Sequence, residues 1–106
     1  MGVRTTRLAR DDLAQIHAWS CAQWGDDHAH QFLEGLFSAL DRLAEQPKMG
    51  RVRKLIHPDI RSISYRPYDI YYVIAPDSAA VIVAVWHTRR HHRKVDLLGR
   101  SKHLED

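Results

Sequence analysis

Cysteine is almost absent. Cys21 stands alone, so no internal disulfide can close, and a small secreted scaffold stapled by disulfides is excluded. It falls in a helix-like stretch beside Trp19 and Trp24 and reads as a half-buried hydrophobe, not a reactive thiol. A reducing cytoplasm suits such a chain. Long apolar runs are missing as well. The longest covers residues 79–86, far short of the roughly 20 residues that cross a bilayer as a helix. A charged start followed by an apolar stretch is lacking too, so neither a signal peptide nor a membrane partner is expected. Prolines and glycines number only four and five, with no linker, repeat or low-complexity segment among them. The 106 residues therefore read as one domain, 1–106, with about 94–106 as a basic C-terminal tail. Sets of metal ligands are also absent. His87, His91 and His92 follow a strand-like run with no cysteine or carboxylate placed to complete a site. His28 and His30, two apart in a helix, point in different directions. No metal and no cofactor is expected.

What the chain does have is charge sorted along its length. The net charge is +3. Residues 7–46 carry three basic side chains against seven acidic ones. In residues 47–61 five basic side chains (Lys48, Arg51, Arg53, Lys54, Arg61) face only Asp59, and in residues 87–103 six face only Asp96. An acidic front and two basic clusters fit an anionic partner at the back. The alternative is a set of solvated loops that keep the protein soluble, and on charge alone the two readings stand level.

Hydrophobic spacing gives the order of elements. Residues 2–5 are short and β-permissive. Thr6 is a helix N-cap, because its hydroxyl can accept from an unpaired first-turn N–H. From Arg7 the pattern is helical, with Ala9, Leu13, Ile16 and Ser20 on one face and Trp19 and Trp24 flanking it. Gly25 ends this helix, and Asp26 or Asp27 caps the next. In the second helix Phe32, Leu33, Leu36, Phe37, Leu40, Leu43 and Ala44 form one apolar stripe, with Glu34, Asp41, Arg42 and Glu45 opposite and Pro47 as the stop. So short a connection makes the helices antiparallel. Residues 47–59 read as a loop. Strands are predicted at 60–65, 68–75 and 80–87, joined by turns at Arg66-Pro67 and Pro76-Asp77-Ser78. Val95, Leu97 and Leu98 offer a last short segment before Gly99. The fold class is α+β: an N-terminal strand, an antiparallel helical hairpin, then a three-stranded antiparallel meander, in two layers.

That order, with particular residues, resembles the RelE/ParE toxin superfamily, and its ParE branch most closely, from about Arg4 to Arg90. Thr6, Ala9, Asp12, Leu13 and Ile16 make the start. Leu43-Ala44-Glu45-Gln46-Pro47 and Met49-Gly50-Arg51 follow the second helix. Ile60-Arg61-Ser62 leads into Tyr68, Ile70 and Tyr72, and Val81, Val83, Trp86, His87 and Arg90 close the pattern. The resemblance implies a toxin made beside a small antitoxin that silences it in a hetero-oligomer. It also implies one of two targets: ParE-like members poison DNA gyrase, and RelE-like members cut mRNA on the ribosome.

The RelE-like alternative needs a general base, a general acid and cations for phosphorane-like charge. Lys54, Arg61, His87, Arg89, Arg90 and His91 are the candidates, with Arg61 and His87 placed to share a concave face. No Tyr or Glu follows the last strand where some ribonucleases carry one, and Lys48, Arg53 and Lys54 stand in only loosely for the lysine pair of those enzymes. Arg61 has a plainer role as a partner of Asp59 or Asp69, and Arg90 an equally plain one. The basic runs lack a recognition helix, a stacking platform or a zinc motif, so a protein partner is favoured over nucleic acid. Its candidate contacts are Arg51, Arg53, Lys54, Trp86, Arg89, Arg90, Arg93 and Lys94. Trp86 is either an anchor or, more in keeping with its type, a core aromatic. The reading taken forward is a non-enzymatic inhibitor acting by binding. The ribonuclease is its alternative, and a basic α+β binding module without toxicity is a third.

Overall fold

A computed structural model describes residues 3–89. The elements are β1 (Arg4–Thr5), α1 (Arg7–Trp24), α2 (Asp26–Glu45), a 3-10 turn (Pro47–Met49), β2 (Arg51–Val52), β3 (Arg61–Tyr65), β4 (Tyr68–Ile74) and β5 (Ala80–His87). The sheet runs β1-β5-β4-β3-β2, with β1 parallel to β5 and every other pair antiparallel. The hairpin of α1 and α2 covers one face. The predicted order holds, and the first strand does join the sheet.

Local chemistry sets the helix ends. Thr6 accepts the Ala9 N–H at 3.2 Å, as its hydroxyl predicts. Gly25 closes α1 with its N–H on the Cys21 carbonyl. It takes φ 83°, a left-handed value that a side chain would strain. Gly25 is also the N-cap of α2. Asp26 and Asp27 do not cap it; they lie inside its first turn, where their charge favours the positive end of the helix. On α2 the buried arc takes in Ala29, Leu33, Leu36, Ala39, Leu40 and Leu43. Phe37, read as part of the stripe, sits at its margin and is 49% exposed.

Residues 47–59, read as a loop, contain two small elements. The Tyr72 hydroxyl accepts the Gly50 N–H (2.8 Å) and donates to the Pro47 carbonyl (2.6 Å). Arg61 Nη1 donates to the carbonyls of Lys48 (3.2 Å) and Gly50 (2.9 Å). These four bonds clasp the turn against the sheet and let β2 pair with β3. A Cβ at residue 50 would collide with the Tyr72 ring, so close approach is what requires glycine there.

Ile82 and Val85 belong to the cluster under the helices, while Val83 and Ala84 both belong to the cluster on the opposite face. The cause is a bulge. Tyr71 pairs with Ala84 and Tyr72 with Ile82, which leaves Val83 as the inserted residue. β1 reaches only as far as Ile82, whose carbonyl takes the Thr6 N–H. Farther along β5 the Val85 N–H is met by the buried carboxylate of Asp12 at 3.1 Å. A helix side chain thus completes what a two-residue strand cannot reach.

Burial raises the hydroxyls of Tyr68, Tyr71 and Tyr72 above their ordinary 10.0, opposed at Tyr71 by the Arg53 cation and at Tyr72 by the Gly50 hydrogen bond and Arg61. Below about pH 10 both the folded and the unfolded chain keep these protons, and the stabilisation is whole. Above it the unfolded chain ionises first, so stability falls as pH rises. The urea midpoint should therefore fall as pH is raised through and above about pH 10, less steeply in Tyr68→Phe. A midpoint that stays level over that range would refute it.

Candidate partner-binding surface

The basic stretch 47–61 lies along the β2–β3 side of the sheet. Arg51 and Lys54 are exposed there. Arg53 is held: its Nη1 donates to Ser62 Oγ at 3.0 Å, and its guanidinium sits 5.6 Å from the centre of the Tyr71 ring. Part of the cationic surface is thereby set in place by the sheet face opposite the helices. The acidic helical hairpin lies on the other face, so the charge sorting along the chain becomes a sorting in space.

Trp86 is not on that surface. It is 3% exposed, with its ring 5.9 Å from that of Tyr71 in the cluster on the sheet face away from α1 and α2. The bulge at Val83 has turned it there. The core role holds, and the docking-anchor role is corrected.

Arg61 and His87 do not converge. Arg61 pairs in register with Tyr72, whereas His87 pairs with Tyr68, four positions along β4 and two strands away from β3. At strand spacing their backbones lie roughly 15 Å apart. Arg61 is committed to the Lys48 and Gly50 carbonyls, and neither Asp59 nor Asp69 is its ion-pair partner. Asp69 instead takes the Ser64 hydroxyl at 3.3 Å. His87 packs on Tyr68 with centroids 5.6 Å apart, and its Nδ1 accepts the Arg89 N–H at 3.0 Å. Arg89 is exposed just past β5. His87 lines a cleft of about 220 Å³ with Asp12, Gln15, Ile16, Trp19 and Tyr68; among the described residues, neither Arg61 nor Arg89 of the proposed set joins that lining. Arg90, His91, Arg93 and Lys94, like Val95, Leu97, Leu98 and Gly99, lie outside the described residues. Among the described residues no group of three metal-ligating side chains occurs.

Two surface features escaped the reading of the sequence. Trp19 and Trp24 are 51% and 42% exposed and meet edge to face at 5.4 Å, and Trp24 leads through Phe32 to Tyr68. Their position flanking the apolar face of α1 was the available signal. Arg66 and Met49 are exposed near β3; an arginine before a hairpin proline was the signal for the first, and nothing in the pattern marked the second.

Comparison with known proteins places this geometry. The family described as the ParE toxin of type II toxin-antitoxin system, parDE, matches residues 3–92. Toxin ParE1 of Mycobacterium tuberculosis, in strains CDC 1551 / Oshkosh and ATCC 25618 / H37Rv, is 32% identical over 90 residues, covering 80% of this chain and 92% of that protein. A chain of the chromosomal ParDE TA system from P. aeruginosa shares the fold. Its TM-score is 0.70 over 82% of this chain and 95% of that one, at 18% identity.

Proposed function

The chain belongs to the ParE toxin family of type II toxin–antitoxin systems, and on that premise we propose that it arrests growth by binding DNA gyrase. An antitoxin is its natural partner, and the complex of the two is the silent form. The cytoplasm is where both partners would meet. Among the described residues no helix is long and apolar enough to cross a membrane.

The observation that carries a binding mechanism is the commitment of Arg61. A ribonuclease built on this sheet would need that guanidinium and an imidazole around one phosphate. Here Arg61 gives its Nη1 to two carbonyls, and His87, the imidazole of the candidate set, is four register positions away; His57 borders the same cleft as Arg61, but its Nδ1 accepts the Asp59 N–H at 3.0 Å. What is left facing solvent is a cationic surface suited to an acidic protein patch.

Purified protein added to gyrase and relaxed plasmid should stop supercoiling while ribosome-bound mRNA stays intact. Arg51→Ala combined with Lys54→Ala should raise the concentration needed by about tenfold or more, the equivalent of about 1.4 kcal/mol. Cleavage of ribosome-bound message that disappears in His87→Ala would overturn the proposal in favour of the RelE-like reaction.

A further inference from the structure

The large apolar side chains at the surface of this protein are exposed to very different degrees. Trp19, Trp24, Phe37 and Met49 lie between 42% and 51%, whereas Leu55, between β2 and β3, is 93% exposed. The fold shelters almost none of it. A single apolar residue on a loose loop would need no account. This loop is not loose.

The Arg53 N–H donates to the Ile60 carbonyl at 2.7 Å and shuts the loop at its base. The N–H groups of Ile56 and His57 both return to the Arg53 carbonyl, at 2.9 and 3.0 Å, which winds residues 53–57 into one helical turn. The His57 carbonyl takes the Ile60 N–H at 3.2 Å, and His57 Nδ1 takes the Asp59 N–H at 3.0 Å. Side chains hold the same loop from beneath. Ile60 is fully buried, and Ile56 packs against the cluster that contains Ile60, Tyr71 and Val73. Arg53 is fixed by Ser62 and the Tyr71 ring. With Ile56 turned to the core, Lys54 and Leu55 are left facing outward.

We propose that Leu55 is the apolar anchor with which the toxin grips its target. It enters a pocket on the target protein whose floor is apolar and whose rim carries a carboxylate for Lys54. The proposal rests on the reading of the chain as an inhibitor that binds gyrase, and it names the contact. Docking takes the leucine out of water, and the braced turn has little freedom left to lose. Nucleic acid is the poorer fit. Across residues 51–60 the exposed cations are Arg51 and Lys54, the acid Asp59 is exposed in the same loop, and Arg53 is engaged with Ser62 and Tyr71. Leucine also offers no ring on which a base could stack.

The test uses the full chain and the gyrase holoenzyme. Leu55→Asp should keep the parent's melting temperature, because so exposed a side chain supports little of the fold. It should nevertheless need about tenfold or more protein to stop supercoiling. Leu55→Met, still apolar, should inhibit as the parent does. Benzoylphenylalanine placed at position 55 should cross-link to a gyrase subunit under ultraviolet light. Leu55→Asp that inhibits as well as the parent overturns the anchor and leaves the toxin reading standing. Leu55→Asp that stops gyrase normally but no longer binds the antitoxin, or a cross-link that forms only to DNA, overturns it by giving the tip to another partner. A parent toxin that leaves gyrase unaffected overturns both.

Discussion

Tyr72→Ala should unfold the protein or bring it to the verge of unfolding. Removing a fully buried aromatic ring costs about 3–5 kcal/mol. Here the hydroxyl goes too, stranding the Pro47 carbonyl and the Gly50 N–H that it bonds, for about 1–3 kcal/mol more. Domains of this size hold roughly 5–15 kcal/mol in all. The melting temperature should fall by more than about 12 °C, if a cooperative transition survives at all. Tyr72→Phe separates the two contributions, because it keeps the ring and loses only the clasp. A loss of about 1–3 kcal/mol in urea titration, with faster exchange of the Gly50 amide, is its expected result. A Phe variant as stable as the parent, with an unaltered Gly50 amide, would mean that the hydroxyl holds nothing.

Trp86→Ala should cost about 3–5 kcal/mol of stability, because the ring is 3% exposed and packs on Tyr71. The measurement distinguishes the two roles read for this residue. A surface anchor would leave the melting temperature in place and weaken only partner binding. A core aromatic lowers the melting temperature first, and Trp86→Phe recovers part of the loss. Full stability in Trp86→Ala would return the residue to the surface.

The larger elements were legible because their signals are local. The Thr6 cap, the Gly25 stop and the bounds of β5 at residues 80 and 87 follow from neighbours within a turn or a strand. β2 and the 3-10 turn carry no periodic signal. They exist because Tyr72 and Arg61, distant in sequence, grip the backbone of residues 47–50. For the same reason Arg61 was read against Asp59 and Asp69: a carboxylate is visible in a sequence as a partner, whereas every residue has a carbonyl. The bulge at Val83 had no marker such as glycine, so the side of the sheet taken by Trp86 was open until the register was known. Phe37 fell at the margin of a helical stripe, where a 3.6-residue period does not decide between core and solvent. Charge sorting was readable from composition alone. Which cations are held, as Arg53 is, and which stand free to meet a partner depended on the fold.

The four bonds that hold residues 47–50 bear on how readily the proposed binding surface could meet a target. A cationic loop that had to order itself on each encounter would lose conformational entropy with every capture of a target. Here that loss has been met during folding. On the proposed reading, a toxin leaving its antitoxin would present this segment already ordered, so no rearrangement of residues 47–50 would have to precede capture of a target.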